Sequence, residues 1–145
     1  MKKVIDLLNQ YVADLAVLNV KFHNLHWNVV GKNFPAVHVH LEELYDSLFE
    51  KYDEAAERIK MLEAYPKASI KDYLTLSKVE ELASEDVEII KALVIVKVDF
   101  TYLKELATKI REVADESGDF GTVALVEGHI ADYDKELYFI RQSLK

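Results

Sequence analysis

The chain has 145 residues, half of them hydrophobic, and a formal net charge of −8. This length allows a sizeable core, and we treat residues 1–145 as a single domain. The absence of cysteine excludes disulfides, thiolate metal sites and cysteine nucleophiles. The negative charge argues against a DNA-binding surface, which is usually basic.

The sequence also argues against membrane insertion and secretion. No run reaches the roughly 18 apolar residues of a membrane span. The segment after Lys2 and Lys3 is interrupted by polar side chains, which is not typical of a secretory signal. We therefore expect a cytoplasmic protein, and the lack of cysteine agrees with a reducing compartment.

Four long helices are predicted from apolar residues that recur at alternating spacings of three and four. The first stripe contains Val4, Leu8, Tyr11, Leu15, Leu18, Phe22, Leu25 and Val29. The second contains Val37, Leu41, Leu44, Leu48, Tyr52, Ala55, Ile59 and Leu62. The third contains Ile89, Leu93, Val96, Phe100, Leu103, Ala107, Ile110 and Ala114. The fourth contains Val123, Val126, Ile130, Tyr133, Leu137, Ile140 and Leu144.

The breaks between these stripes indicate the topology. Gly31 and Pro35 form a turn between the first two helices, and Ser117-Gly118 ends the third. Residues 66–83 can hold only a short helix, near Ser69–Leu74. A helix pair, a crossover and a second pair is the connectivity of ferritin-like bundles. We predict an all-α, ferritin-like four-helix bundle with a short extra helix in the crossover between the second and third long helices.

Two histidines and three acids form a candidate metal site, because neutral imidazole and carboxylate together suit first-row transition metals. The candidate ligands are His26, His38, Glu42, Asp53 and Glu57. On helix two, the three acids lie about 40°, 60° and 100° from His38, so all four side chains share one stripe. Antiparallel helices joined at the Gly31 turn would bring His26 and His38 to similar height.

The other histidines are interpreted as structural or surface groups. His40 falls about 200° from His38, on the opposite face of helix two. His23 lies one turn before His26, which makes it the weakest of these exclusions. His129 belongs to the fourth helix.

Axial distances divide the candidate ligands into two groups. His38 and Glu42 are about 6 Å apart along the helix axis, whereas Glu42 and Asp53 are about 16 Å apart. Metal–ligand bonds of about 2.0–2.2 Å cannot join both groups to one ion within one chain. Either there are two separate sites, or a second copy packs antiparallel and supplies Asp53 and Glu57. A two-fold interface would then build two composite sites.

The absence of one motif favours the shared arrangement. Di-iron bundles that build their centre within one chain use paired Glu-x-x-His motifs. This sequence contains no Glu-x-x-His, which argues against a di-iron centre inside the bundle.

The same residues resemble the Dps family, the mini-ferritins named for DNA protection during starvation. The resemblance covers most of the chain, and residues 22–58 carry nearly all its specificity. The matching segments are His23–Phe34, His38, Glu42 and Asp53–Arg58, with further counterparts at Ser69, Lys71, Leu74 and Gly118-Asp119.

The resemblance implies a hollow homo-oligomer of twelve subunits with ferroxidase centres at two-fold interfaces. His26, His38 and Glu42 would come from one subunit, and Asp53 and Glu57 from its mate. Fe(II) would be oxidised at this di-iron centre by hydrogen peroxide or O2, preferably by peroxide, and Fe(III) mineral stored in the cavity, which protects against oxidative stress. Trp27 resembles the family's aromatic residue beside the centre, a candidate electron donor, and zinc is an expected competitor for the ligands.

The sequence departs from the family pattern in three ways. Position 42 is Glu where many members have Asp. In many members, acids around the start of the last helix line three-fold pores. Here apolar residues stand among the expected acids, which puts that route for iron in doubt. The positions are Asp115, Asp119, Phe120, Ala124 and Glu127. The basic N-terminal extension of the DNA-binding members is missing, so we do not expect DNA binding. The alternative function is a non-catalytic shell that sequesters metal or interacts with host cells.

Overall fold

The computed structural model describes residues 1–145. The helices are α1 (Lys2–Asn28), α2 (Phe34–Met61), α3 (Ile70–Leu76), α4 (Ile89–Glu116) and α5 (Phe120–Ser143). Two-residue strands, β1 (Val29–Val30) and β2 (Val87–Glu88), complete the elements. The predicted four-helix bundle with a short helix in its crossover is confirmed.

The four apolar stripes form the core. Every member of each stripe is buried or half-buried, because the spacing of three and four keeps these side chains on one face of each helix. The segment Leu93–Val96 is helical despite its β-branched residues. α1 packs against α2, α4 packs against α5, and α3 lies along α1. None of these helices is long and apolar enough to cross a membrane.

Helix ends follow local chemistry. Pro35 occupies the first turn of α2, where the missing N–H costs no hydrogen bond. Ser69 and Asp119 cap α3 and α5 by accepting hydrogen bonds from Asp72 N and Thr122 N. Gly118 has φ +71 after the end of α4, the left-handed conformation that glycine adopts most easily.

A short parallel bridge was not predicted from the sequence. Val29 pairs with Val87 and Val30 with Glu88, which joins the end of α1 to the start of α4. Gly31 follows with φ +143, and a Cβ there would lie 2.9 Å from Ile89 Cδ1. The positive φ is strained for any residue with a Cβ, so glycine is the residue that suits the turn before α2.

Buried polar groups hold the crossover in place. The fully buried Asp14 carboxylate accepts hydrogen bonds from Tyr102 Oη at 2.6 Å, Ser77 Oγ at 2.9 Å and the Lys78 main-chain N–H at 2.8 Å. These contacts tie α1 and α4 to the segment after α3, so the loop has a defined path.

Candidate metal centre

His26 and His38 come together at the closed end of the α1–α2 pair. Their rings stack with centroids 3.6 Å apart and planes inclined by 13°. His26 Nδ1 lies 2.6 Å from the His38 carbonyl oxygen, and His38 Nδ1 lies 2.7 Å from the His26 carbonyl oxygen. The turn at residues 29–33 therefore brings the two predicted imidazoles to the same height.

These contacts decide which ring nitrogens are free. A carbonyl oxygen only accepts hydrogen bonds, so Nδ1 of each ring carries the hydrogen and donates it. In the neutral rings, Nε2 of both His26 and His38 keeps its lone pair. Metal-ligating histidines commonly have this second hydrogen bond, which fixes ring orientation and tautomer.

Tyr45 connects the histidines with Glu42. Its hydroxyl donates to Glu42 Oε1 at 3.3 Å. Its ring centroid lies 5.3 Å from that of His26 in a perpendicular arrangement and 3.6 Å from that of His23 in a stacked one. His23 Nδ1 also bonds to the Asn19 carbonyl oxygen at 2.7 Å. Tyr45 was not predicted from the sequence, although its position three residues after Glu42 places it on the adjacent helical turn.

Asp53 and Glu57 form a second, separate acidic group. Both are exposed on α2. The pKa of Glu57 is raised, first because it shares a hydrogen bond with Asp53 and then because of the charge of Asp53. Two carboxyl groups that repel each other in this way gain stability when a cation lies between or beside them.

The structure does not bring the two groups together within one chain. They remain about 16 Å apart along α2, the rise expected for the eleven residues between Glu42 and Asp53. No group of three or more His, Cys, Asp or Glu side chains in the chain is arranged to hold a metal ion.

Trp27 faces outward from α1 beside the histidine pair. Its side chain is 67% exposed, so it does not belong to the core of the chain. Its ring lies 5.6 Å from that of His23. Tryptophan is enriched where protein surfaces meet, so this position suits a contact with a second molecule.

Arg58 anchors the acidic end of α2 to α5. Its guanidinium contacts Asp119 Oδ1 at 2.7 Å and Thr122 Oγ1 at 3.0 Å. Burial acts to raise the pKa of Asp119, but hydrogen bonds from Thr122 and Arg58 outweigh it and lower that pKa. Glu57 precedes Arg58, so this anchor also fixes the segment that carries the acidic pair.

The three acids considered for a pore each have an arginine partner within the chain. Asp119 is only 5% exposed and is held by Arg58. Arg111 lies 3.7 Å from Asp115 and 3.1 Å from Glu127. Of the acids considered for a pore, none stands without a cationic neighbour.

The remaining histidines have partners elsewhere. His40 Nε2 lies 2.6 Å from Glu136 Oε1 on α5; the hydrogen bond to this carboxylate, opposed by burial, raises the pKa of His40. His129 is buried between helices. Neither ring has a hydrogen bond or a ring contact with the stacked pair, and their exclusion from the ligand set stays a prediction.

Comparison with known proteins places this chain in a family. Residues 5–145 match the ferritin-like domain named Ferritin. The chain is 38% identical to antigen TpF1 of Treponema pallidum over 98% of its own length and 80% of that protein. It is 36% identical to DNA protection during starvation protein 2 of Bacillus anthracis, over 99% and 97% of the two chains.

Comparison with solved structures gives the same assignment. The crystal structure of antigen TpF1 superposes with a TM-score of 0.97 at 38% identity, covering 99% of this chain and 92% of that one. A Dps protein from Vibrio cholerae, described as a member of a broad superfamily of ferritin-like diiron-carboxylate proteins, gives 0.95 at 32% identity, covering 99% and 90%. This chain therefore belongs to the Dps family of the ferritin-like superfamily.

Proposed function

We propose that this protein is a ferroxidase and an iron-storage mini-ferritin that protects against oxidative stress. Membership of the Dps family supports the storage role. The observation that carries the ferroxidase proposal is the stacked pair His26 and His38, whose Nε2 lone pairs are left free by reciprocal hydrogen bonds to main-chain carbonyls.

The donor chemistry fits ferrous ion as substrate. Imidazole nitrogen and carboxylate oxygen bind Fe(II), and carboxylate oxygens favour the harder Fe(III) product. We propose His26, His38 and Glu42 from one subunit with Asp53 and Glu57 from its two-fold mate. The axial separation on α2 supports this sharing, because neither group alone supplies a full ligand set.

The reaction balances when two ferrous ions act together. Each gives one electron to a hydrogen peroxide molecule, which takes up two protons and leaves as two water molecules. Glu42 accepts a hydrogen bond from Tyr45 and the histidines are oriented by the main chain, so these ligands are held before substrate arrives. The Fe(III) product would be stored in the cavity of a dodecameric shell, and Zn(II) would compete for the same ligands.

The basic test measures Fe(II) oxidation with added peroxide in His26→Ala and Asp53→Ala variants. We expect both to lose most of the activity, since removing one ligand of a metal site typically costs much of its affinity. Wild-type rates in both would refute the site. Metal uptake without oxidation in the unaltered protein would instead favour a passive metal store.

Sharing across the interface has its own test. In a two-fold pair of one His38→Ala and one Asp53→Ala chain, both lesions fall in one composite site and the other site is intact. Random co-assembly of equal amounts should therefore restore about one quarter of the sites. Either variant alone should stay inactive.

A matched mixture provides the control. His26→Ala and His38→Ala chains carry lesions in the same half of the site, so every composite site in their mixture stays damaged. Equal activity in the two mixtures would contradict sharing. Particle mass in solution should be about twelve times that of one chain.

A further inference from the structure

A buried Tyr–His pair lies inside the bundle, apart from the candidate ligands. Tyr11 Oη of α1 lies 2.8 Å from His129 Nδ1 of α5, and it also contacts the hydroxyl of Tyr133. Tyr11 and Tyr133 have no solvent exposure, and His129 is 4% exposed. The proposed ferroxidase reaction uses none of these three side chains.

The direction of the hydrogen bonds follows from the contact of the other ring nitrogen of His129, Nε2. Glu54 Oε1 lies 3.4 Å from His129 Nε2, and no hydrogen bond satisfies that buried nitrogen. A carboxylate accepts and does not donate, so the hydrogen of the neutral ring belongs on Nε2. Nδ1 then carries the lone pair, Tyr11 donates to it, and Tyr133 donates to Tyr11.

The surroundings keep Tyr11 and His129 in the protonation states that this series of hydrogen bonds requires. Burial, followed by the interaction with Tyr133, raises the pKa of Tyr11, so the phenol keeps its proton. Burial and the charge of Lys51 lower the pKa of His129 to about 4, so the ring is neutral near pH 7. A neutral phenol therefore faces a neutral base across one hydrogen bond.

We propose that Tyr11 and His129 form a proton-coupled electron donor, in which Tyr11 gives up one electron while its phenolic proton moves to His129 Nδ1. A phenol that loses an electron becomes strongly acidic, so a base already hydrogen-bonded to it allows oxidation without a buried charged phenol. The product is a neutral tyrosyl radical shielded from solvent.

The position of the pair indicates which oxidant takes the electron from Tyr11. Glu54, in contact with His129, follows Asp53 on α2, so the pair lies behind the helical turn that carries the acidic group. This link rests on the proposed function. When hydrogen peroxide meets a single ferrous ion, it takes one electron and yields hydroxide and a hydroxyl radical. An electron from Tyr11 converts that radical to hydroxide.

The cycle then closes with a second ferrous ion. This ion gives one electron to the tyrosyl radical, and the proton returns from His129 to Tyr11. Two ferrous ions have been oxidised, one peroxide has become two hydroxides, and no radical has escaped. Tyr11 thus stores one electron equivalent whenever iron arrives one ion at a time.

The first experiment avoids iron. Azide radicals generated by pulse radiolysis oxidise tyrosine and tryptophan in the metal-free assembled protein, and the lifetime of the tyrosyl absorption is recorded. A Trp27→Phe background removes the exposed indole as a competing donor. We expect a long-lived tyrosyl population there, lost in Tyr11→Phe and retained in the control Tyr65→Phe, whose ring is 82% exposed.

His129→Gln separates proton transfer from structure. The glutamine carbonyl can still accept a hydrogen bond from Tyr11, but it cannot take the proton, so the long-lived radical should be lost. Its formation in the unaltered chain should also slow in D2O. A long-lived radical that persists in Tyr11→Phe or in His129→Gln would overturn the proposal.

The second experiment adds Fe(II) below one ion per site, then peroxide, followed by freeze-quenching and electron paramagnetic resonance. A tyrosyl signal that requires Tyr11 supports the link with iron. A long-lived radical with azide but none with iron would overturn that link. A negative azide experiment would overturn the donor itself, whether or not the protein proves to be a ferroxidase.

Discussion

At the scale of single residues, the main chain orients the histidine pair. Each Nδ1 bonds to a carbonyl oxygen of the other residue, so replacing one imidazole leaves the hydrogen bond of the other intact. Loss of activity in His26→Ala or His38→Ala would then report a missing ligand and not a collapsed turn. In the mixed assembly the intact site takes both histidines from the Asp53→Ala chain, so it requires only that His38→Ala leaves the fold and the acids of its own chain unchanged.

His129 gives a prediction about acid stability. Burial, with the charge of Lys51, lowers its pKa from 6.5 to about 4. Between these values the unfolded chain binds more protons than the folded chain, so the free energy of unfolding falls as pH drops through this window. The loss is at most about 3–4 kcal/mol.

The measurement compares the thermal midpoint of unaltered and His129→Gln chains between about pH 4 and pH 7 at one protein concentration. Glutamine does not titrate, so the variant should lack this part of the slope. Parallel curves for the two chains would show that His129 does not contribute to the acid sensitivity.

The candidate ligands could be named from the sequence because residue type and helical spacing are local properties. The tautomer of His26 could not be predicted from the sequence, because it depends on where the turn after α1 places the His38 carbonyl. Tyr45 shows the same limit: its spacing from Glu42 was visible, but its contact with His26 depends on how α1 packs against α2.

At the scale of elements, the anchor between α2 and α5 depends on close packing. Gly121 lies against Arg58, and a Cβ at that position would be 2.6 Å from Arg58 Nη2. Arg58 lies there because it reaches the buried Asp119, 61 residues away along the chain. A contact of this separation is set by helix packing and is invisible to local patterns.

Gly121→Ala should therefore destabilise the protein. The added methyl group pushes the guanidinium away from Asp119, and overpacking of this kind typically costs about 1–3 kcal/mol. Gly128→Ala is the matched control on the same helix, because nothing lies within 4 Å of its Cβ position. There, alanine should stabilise the helix by up to about 1 kcal/mol.

Thermal midpoints decide between these effects, since each kcal/mol corresponds to a shift of about 2–4 °C for a chain of this size. We expect shifts of opposite sign in the two variants. A thermal midpoint of Gly121→Ala at or above that of the unaltered chain would show that Arg58 can move without a loss of stability.

The elements themselves were well predicted. Long stripes of apolar residues fix helices, and sparse glycine and proline mark their ends, so all four long helices and the short crossover helix followed from the sequence. The bridge between β1 and β2 did not. Two residues per strand carry no periodicity, and the pairing of Val29 with Val87 depends on the crossover returning to the end of α1.

At the scale of the whole molecule, the net charge of −8 per chain sets what the surface attracts. DNA binding requires cations that neutralise phosphates, and an acidic surface repels the duplex. We predict no retardation of linear duplex DNA at about 0.15 M salt, measured by gel electrophoresis. A version of the chain with a lysine-rich extension before Met1 is the positive control, and retardation by the unaltered chain would contradict the prediction.

The same negative charge should favour the capture of ferrous ion by the protein. A negative field raises the capture rate of a cation, and the effect falls with ionic strength because the Debye length shortens from about 30 Å at 0.01 M to about 8 Å at 0.15 M. We predict that the second-order rate of Fe(II) capture, followed by stopped flow, decreases by roughly an order of magnitude over this range. Hydrogen peroxide is uncharged, so its reaction with protein already loaded with Fe(II) should change little. Equal changes in both steps would show that salt acts on the protein itself, and no change in either would show that the field does not steer the ion.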